Sequence, residues 1–176
     1  MFFIPGFLIA LVTFPGVIVH EIAHQLFCRL FRVAVLDVCY FRLGNPSGYV
    51  LHEPPRTTGQ HLVIGIGPFL VNSILGPLIA FPAIIPARFG EFSPLDFLLL
   101  WLGVSIGMHA FPSTGDAKSI WAAVWSPGTS PLIRLVATPI VGLIFLGAIG
   151  SIFWLDAIYG VAICMLFPTI LVGLAS

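Results

Sequence analysis

The sequence predicts an all-α membrane protein, a polytopic bundle of about five transmembrane helices with a small β-hairpin after the first. Hydrophobic residues make up 59% of the 176-residue chain and charged residues only 8%, whereas soluble domains carry about 25% charged residues. Apolar stretches long enough to cross a bilayer recur along the chain. Two short runs rich in β-branched and aromatic residues flank a turn-rich stretch. The chain is short enough to form one domain, residues 1–176.

The first predicted span covers residues 2–31. Pro15 and Gly16 interrupt it, and the charged residues Arg29 and Arg32 mark its end. A proline inside a membrane helix removes one backbone hydrogen bond, so we expect a kink at this point. The amino terminus lacks the positively charged region of a cleaved signal peptide. We therefore expect this segment to remain in the protein.

Residues 33–53 have a different pattern. β-Branched and aromatic residues occupy 33–43, turn-forming residues occupy 44–48, and a short apolar run ends at Pro54. This arrangement predicts a hairpin or a pair of short strands.

The remaining spans follow from apolar length. We place the second span at 57–86 and the third at 94–110, and Pro68 and Pro77 lead us to expect a break in the second helix. Residues 131–174 are long enough to cross the membrane twice, with the reversal near 150–156. A different division of that last stretch would give four spans.

Basic residues predict the orientation. The formal net charge is zero and the seven basic residues are scattered, so we expect no nucleic-acid partner. They lie mostly in the connections between spans one and two and between spans three and four, which the positive-inside rule assigns to the cytosol. We therefore predict a multi-pass protein of the cell membrane with its N-terminus outside and its C-terminus in the cytosol. The cytosolic set is Arg29, Arg32, Arg42, Arg56, Lys118 and Arg134, and Arg88 lies on the other side.

An H-E-x-x-H motif, His20 to His24, lies inside the first span. Residues four apart share a helix face, so the two imidazoles can converge on one metal ion. Glu21 is offset by roughly 100°, which places its carboxylate beside the open coordination position. Zn²⁺ accepts nitrogen and oxygen ligands and lowers the pKa of bound water to about 7. Because ionisable groups in hydrocarbon are costly and usually functional, the motif predicts a zinc site with Glu21 as the base.

A catalytic zinc needs a third protein ligand. The candidates are Asp116, His109, Asp37 and Asp96. We favour Asp116, because it is a carboxylate on the predicted cytosolic side, toward which the histidine pair is displaced, and it follows a glycine. Asn72 is the polar residue at mid-depth of the second span, where it can serve as a donor in the site or form an interhelical hydrogen bond.

These pieces together resemble the site-2 protease family of intramembrane zinc metalloproteases. The resemblance covers residues 15–120, with additional C-terminal helices in 131–174. The family's Asn-x-x-Pro before Leu-Asp-Gly, whose Asp is a zinc ligand, corresponds to 109–112 followed by 115–117, with one residue fewer between them. The family's Gly-Pro-x-x-Asn is stretched by one residue, in 67–72. We therefore expect a divergent, minimal catalytic core.

We therefore predict an intramembrane zinc endopeptidase that cuts membrane-protein or peptide substrates within the lipid bilayer. His20, His24 and Asp116 would hold Zn²⁺, Glu21 would act as base and then acid, and His109 or Asn72 would stabilise the oxyanion. Residues 33–53 could hold an extended substrate by strand addition. The alternatives are a multi-pass metal-binding protein or transporter, or a membrane zinc hydrolase acting on other substrates. A transporter would need polar residues through both leaflets, and few are present.

Overall fold

The computed structural model describes residues 6–174, so residues 2–5 of the predicted first span lie outside the described part. A short 3₁₀ turn, Ser151–Phe153, follows the helix Pro131–Gly150, and a π-helical segment, Ala162–Leu166, joins the helices Leu155–Val161 and Phe167–Leu174. The prediction of a mostly helical protein with a small antiparallel hairpin is confirmed. The elements in chain order are α1 (Gly6–Val12), α2 (Phe14–Leu30), β1 (Val35–Cys39), β2 (Tyr49–His52), α3 (Thr58–Arg88), α4 (Pro94–Met108), α5 (Thr114–Val124), α6 (Pro131–Gly150), α7 (Leu155–Val161) and α8 (Phe167–Leu174).

Within the described residues, three helical stretches are long and apolar enough to cross a membrane: Thr58–Ala87, Pro131–Phe153 and Leu155–Leu174. The membrane character of the chain is therefore supported, but the predicted count of about five spans is not confirmed. Helices α1 and α2 would form a fourth span only if the two, despite the bend between them, cross the membrane as one segment. Helix α4 is apolar but has 15 residues, about 22 Å at 1.5 Å per residue, against a hydrocarbon core of about 30 Å.

The first predicted span is bent by 89° between α1 and α2. The bend lies at Thr13, whose hydroxyl donates to the carbonyl of Ile9 at 2.7 Å. Pro15 lies in the first turn of α2, where its missing N–H would have had no helical partner anyway. At the predicted kink the chain therefore passes from one helix to another, and α2 begins at Phe14.

Helix α3 is one continuous helix despite four internal prolines. The expected break at Pro68 and Pro77 was wrong. Each proline frees the carbonyl four residues before it, and such carbonyls are tolerated in a membrane helix where a neighbouring group takes the bond. For Pro68 that carbonyl belongs to Ile64, and a side chain of α2 bonds to it, as described below.

Glycines let the backbones of α2, α3 and α4 come into direct contact. A Cβ on Gly76 of α3 would lie 2.9 Å from the carbonyl oxygen of Gly103 in α4, and one on Gly103 would lie 2.6 Å from that of Gly76. On α2, a Cβ on Gly16 would overlap the carbonyl of Ser105. Small residues at such crossings are typical of membrane helix packing. The three helices therefore form a closely packed unit with α4 in contact with both others.

The hairpin packs over α2. Strands β1 and β2 are antiparallel, with Val38 opposite Val50 and an irregularity between Val35 and Asp37. The hydroxyl of Tyr40 donates to Gln25 of α2 at 2.7 Å. The hairpin is therefore held against the helix that carries the H-E-x-x-H motif.

Helix α5 is held by its apolar face against α6. Its inward residues are spaced three and four apart, which places them on one face of the helix. They form a buried cluster with residues of α6, and this packing fixes the orientation of α5. The cluster consists of Ala117, Ile120, Val124, Ala137, Val141 and Ile144.

Candidate metal centre

The two histidines of the motif are buried on α2, with 8% of His20 and 6% of His24 exposed. His20 donates from Nδ1 to the carbonyl of His109 at 2.7 Å, and His24 donates from Nδ1 to the carbonyl of Ile64 at 3.1 Å. A carbonyl oxygen can only accept, so each Nδ1 carries a proton, and in the neutral imidazole each Nε2 then has its lone pair free. This is the arrangement that carbonyl partners impose on metal-binding histidines.

Both of those carbonyls are available for local reasons. Ile64 lies four residues before Pro68, which has no N–H to bond with it. His109 follows the last residue of α4, where carbonyls lack helical partners. A proline and a helix end therefore supply the two acceptors that orient the histidines.

Asp116 lies in the first turn of α5, in a capping box with Ser113. The backbone N–H and hydroxyl of Ser113 donate to Oδ2 of Asp116 at 2.8 and 2.7 Å. Oδ1 of Asp116 lies 3.5 Å from Nε2 of His24, and Oδ2 lies 4.0 Å from Nε2 of His20.

The donor atoms of His20, His24 and Asp116 all lie within 4.8 Å of one another. With the Nδ1 protons used by carbonyls, two nitrogen lone pairs and a carboxylate face one point. Such acceptors repel one another unless a cation lies between them. Two imidazoles and one carboxylate are a ligand set that zinc uses in catalytic sites. The residues present therefore fit a zinc ion.

Glu21 is also buried, with 7% exposed, and it lines the same cavity as the three donors. The loop before β2 passes directly over it, because a Cβ on Gly48 would lie 2.8 Å from Cγ of Glu21 and 3.0 Å from its Oε1. Only a glycine allows this approach without a shift. The carboxylate is therefore enclosed between α2 and the hairpin loop, outside the group of three donors.

The cavity has a volume of about 560 Å³, within the range of ligand pockets. One part holds the three donors and Glu21. A second part is formed by residues from the hairpin loop into β2, and a third part is apolar. The polar residues that line the cavity include His52, His61, Ser113 and Ser119, and the apolar ones include Val17, Ile64, Phe111 and Ile120.

His109 lines the cavity, but its ring is held by the helix bend. Nε2 of His109 lies 2.8 Å from the hydroxyl of Thr13. That hydroxyl donates its one proton to Ile9, so it accepts from His109, and the Nε2 proton is used there. The backbone carbonyl of His109 accepts from both His20 and Asn72. This geometry favours a positioning role for the residue over the predicted oxyanion contact.

Asn72 is fully buried and lies outside the cavity lining. Its amide nitrogen donates to the carbonyls of Ile106 and His109 at 3.1 and 2.9 Å, which uses both amide protons. Its Oδ1 has no hydrogen-bond partner among residues 6–174. The structure therefore favours the interhelical role for Asn72, by which it holds the end of α4 in place.

The other candidate ligands lie elsewhere. Asp37 of β1 accepts from the hydroxyl of Tyr49 at 2.7 Å, and this bond raises the pKa of Tyr49. Asp96 caps the first turn of α4 through Ser93. Neither carboxylate belongs to the group of three donors.

Sequence reasoning missed some residues that line the cavity. Ser113 precedes Asp116 by three positions, a spacing typical of a capping pair that was readable in the sequence. The position of His61 at the start of the second predicted span indicates an interfacial side chain, and nothing in the sequence singles out His52 or Ser119. No local pattern identifies these three as neighbours, because they come from β2, α3 and α5.

Comparisons of the chain with protein-family models, curated proteins and solved structures give no match.

Proposed function

We propose that this protein is an intramembrane zinc endopeptidase of the site-2 protease type. The observation that carries the proposal is the convergence of the donor atoms of His20, His24 and Asp116 within 4.8 Å, with Glu21 lining the same cavity. Two of these ligands and the base come from one helical turn of α2. The third comes from a separate helix, and the site lies among apolar helices that include candidate membrane spans.

A zinc ion held by the three ligands would supply Lewis acidity and lower the pKa of an attacking water. Glu21 accepts the proton of that water and returns it to the leaving amine. The carbonyls of His109 and Ile64 keep His20 and His24 in the tautomer that presents Nε2. Ser113 holds the carboxylate of Asp116 toward the same point.

The substrate must be extended before it can be cut, because the carbonyls of a helix are shielded within its hydrogen bonds. Strand β2 supports this step, since Tyr49, Val50 and His52 line the cavity and the described residues of β1 do not. One edge of β2 pairs with β1. We propose that the substrate lies beside the other edge as an added strand.

The test is cleavage of a synthetic membrane-spanning peptide by the purified protein, with and without a zinc chelator. We expect the chelator to stop cleavage and zinc to restore it. Glu21→Gln should keep its zinc and lose about 10²- to 10⁴-fold in rate, the usual contribution of a general base. The matched control is Glu91→Gln, an exposed carboxylate between α3 and α4, which should cleave at the wild-type rate.

A Glu21→Gln variant that binds zinc and cleaves at the wild-type rate would show that the assignment is wrong. Chelator-sensitive cleavage of soluble peptides without cleavage of the membrane-spanning peptide would favour the membrane zinc hydrolase instead. Zinc uptake into vesicles without any hydrolysis would favour the transporter.

A further inference from the structure

Two histidines of the cavity lie outside the group of three donors. His52 ends β2 and His61 lies in the first turn of α3. Their rings meet edge to face, with centroids 6.3 Å apart and planes at 75°. Both line the same cavity as the proposed zinc ligands. Neither histidine has a role in the proposed cleavage mechanism.

Each of these rings has one nitrogen held by a neighbour. His52 donates from Nδ1 to the carbonyl of Glu53 at 2.7 Å, so its Nε2 has a free lone pair. Nε2 of His61 lies 2.7 Å from the hydroxyl of Ser119. When that nitrogen donates to the hydroxyl, Nδ1 of His61 has the free lone pair. His52 therefore repeats the Nδ1-to-carbonyl bond of His20 and His24.

We propose that His52 and His61 form a second site for a divalent transition metal, separate from the three-donor site in the same cavity. Imidazole nitrogens suit Zn²⁺, Cu²⁺ and Ni²⁺, and water can complete the coordination sphere. The held nitrogens orient the rings before the metal binds, as outer-shell partners do in known sites. With two protein ligands in place of three, the second site binds metal more weakly than the first.

A metal at this pair has a structural consequence, because its ligands come from two different elements. It would tie the end of β2 to the start of α3 across the cavity wall. The proposed substrate strand lies beside β2, so the bound ion obstructs its path. Excess metal therefore inhibits cleavage. This inhibitory effect rests on the proposed function, whereas the binding itself does not.

The first experiment is metal titration of the full-length purified protein. We expect two equivalents of zinc, one tight and one weaker. His52→Gln and His61→Gln should each lose the weaker equivalent and keep the tighter. The double variant His20→Ala/His24→Ala should lose the tighter equivalent and keep the weaker. Ser119→Ala is the control, because it keeps both imidazoles and should retain two equivalents with at most a several-fold loss in affinity.

The second measurement uses the double variant His20→Ala/His24→Ala, which lacks both imidazoles of the three-donor site. The protein receives one equivalent of Cu²⁺, and electron paramagnetic resonance counts the nitrogen ligands of the copper. Two imidazole nitrogens are expected. One nitrogen or none, or an unchanged two-equivalent titration in folded His52→Gln and His61→Gln, would overturn the second site.

Inhibition is measured last. Cleavage by the wild-type protein should fall as zinc exceeds one equivalent, and His52→Gln should resist this fall. Equal inhibition of both proteins would remove the proposed obstruction of the substrate path. If the double variant His20→Ala/His24→Ala keeps both equivalents, the three-donor site and the proposed protease function fail while the second site is judged on its own variants.

Discussion

The cavity wall formed by α2 and α3, with α4 packed against both, is held differently from the wall formed by the hairpin and the start of α5. In the helical wall, backbones approach so closely that Gly76 and Gly103 have no room for a side chain. In the other wall, the hydroxyl of Tyr40 joins the hairpin to Gln25 of α2, and Ser113 holds Asp116 within the first turn of α5, whose apolar face packs on α6. The helical wall therefore has fixed spacing, whereas the hairpin is held through side chains, which can adjust.

The site uses this difference. The helical wall supplies His20, His24 and the carbonyls that orient them. The other wall supplies Asp116, the loop over Glu21 and the proposed substrate edge. A metal ion would join the two walls. Substitutions at the close backbone contacts of the helical wall should therefore affect folding, and substitutions in the other wall should affect metal binding or turnover.

The largest effect should come from removing the ligand that joins the walls. Asp116→Ala should weaken zinc binding by more than about 100-fold, because loss of an outer-shell partner alone costs about 10- to 100-fold. Metal analysis of the purified variants measures it. Asp96→Ala is the matched control, since Asp96 forms the same capping box in α4 without facing the donors. His109→Ala should lose less zinc than Asp116→Ala, and the reverse order would contradict the choice of third ligand.

The next effect tests the fixed spacing of the helical wall. Gly16→Ala should destabilise the protein by about 1–3 kcal/mol, the usual cost of overpacking. The new Cβ would overlap the carbonyl of Ser105 and lie 2.6 Å from Cδ2 of His109. Thermal unfolding in detergent measures the change. Gly142→Ala in α6, with nothing within 4 Å, should be neutral or slightly stabilising. Equal stability of the two variants would show that the close approach is unimportant.

A smaller effect is expected where the hairpin loop crosses Glu21. Gly48→Ala should lower the cleavage rate by about 10-fold with zinc content unchanged, because its Cβ would displace the carboxylate and small misplacements can cost up to about 100-fold. Gly44→Ala, whose Cβ would meet only Arg42 at 3.8 Å, should behave as wild type. If Gly48→Ala unfolds the protein instead, the hairpin wall is as rigid as the helical wall.

The smallest effect concerns the cap of α5. Ser113→Ala should cost about 1 kcal/mol of stability through the lost N-cap. It should cost about 10-fold in zinc affinity, the lower end of the range for an outer-shell partner, because the backbone N–H of Ser113 still donates to Asp116. Ser130→Ala removes a cap from α6, and Ser130 does not line the cavity. It should lose stability without any change in zinc affinity, so isothermal titration of both variants separates the two contributions.

Local spacing in the sequence was enough to predict several features. The i, i+4 relation of His20 and His24 is a property of any helix. The apolar composition predicts a membrane protein, and the turn residues between 33 and 53 predict the hairpin. Each of these depends on neighbours within about one helical turn or one hairpin. For that reason the sequence alone could determine them.

Tertiary packing decided the rest. That Asp116 reaches His20 and His24 depends on how α5 packs on α6 and how closely the glycines let α4 approach α2 and α3. The same packing brings the carbonyl freed by Pro68 to His24, and the amide of Asn72 to the end of α4. A proline leaves one carbonyl of its helix without a partner. The helix continues where a neighbouring group bonds to that carbonyl. These contacts join residues far apart in the chain, so no local pattern contains them.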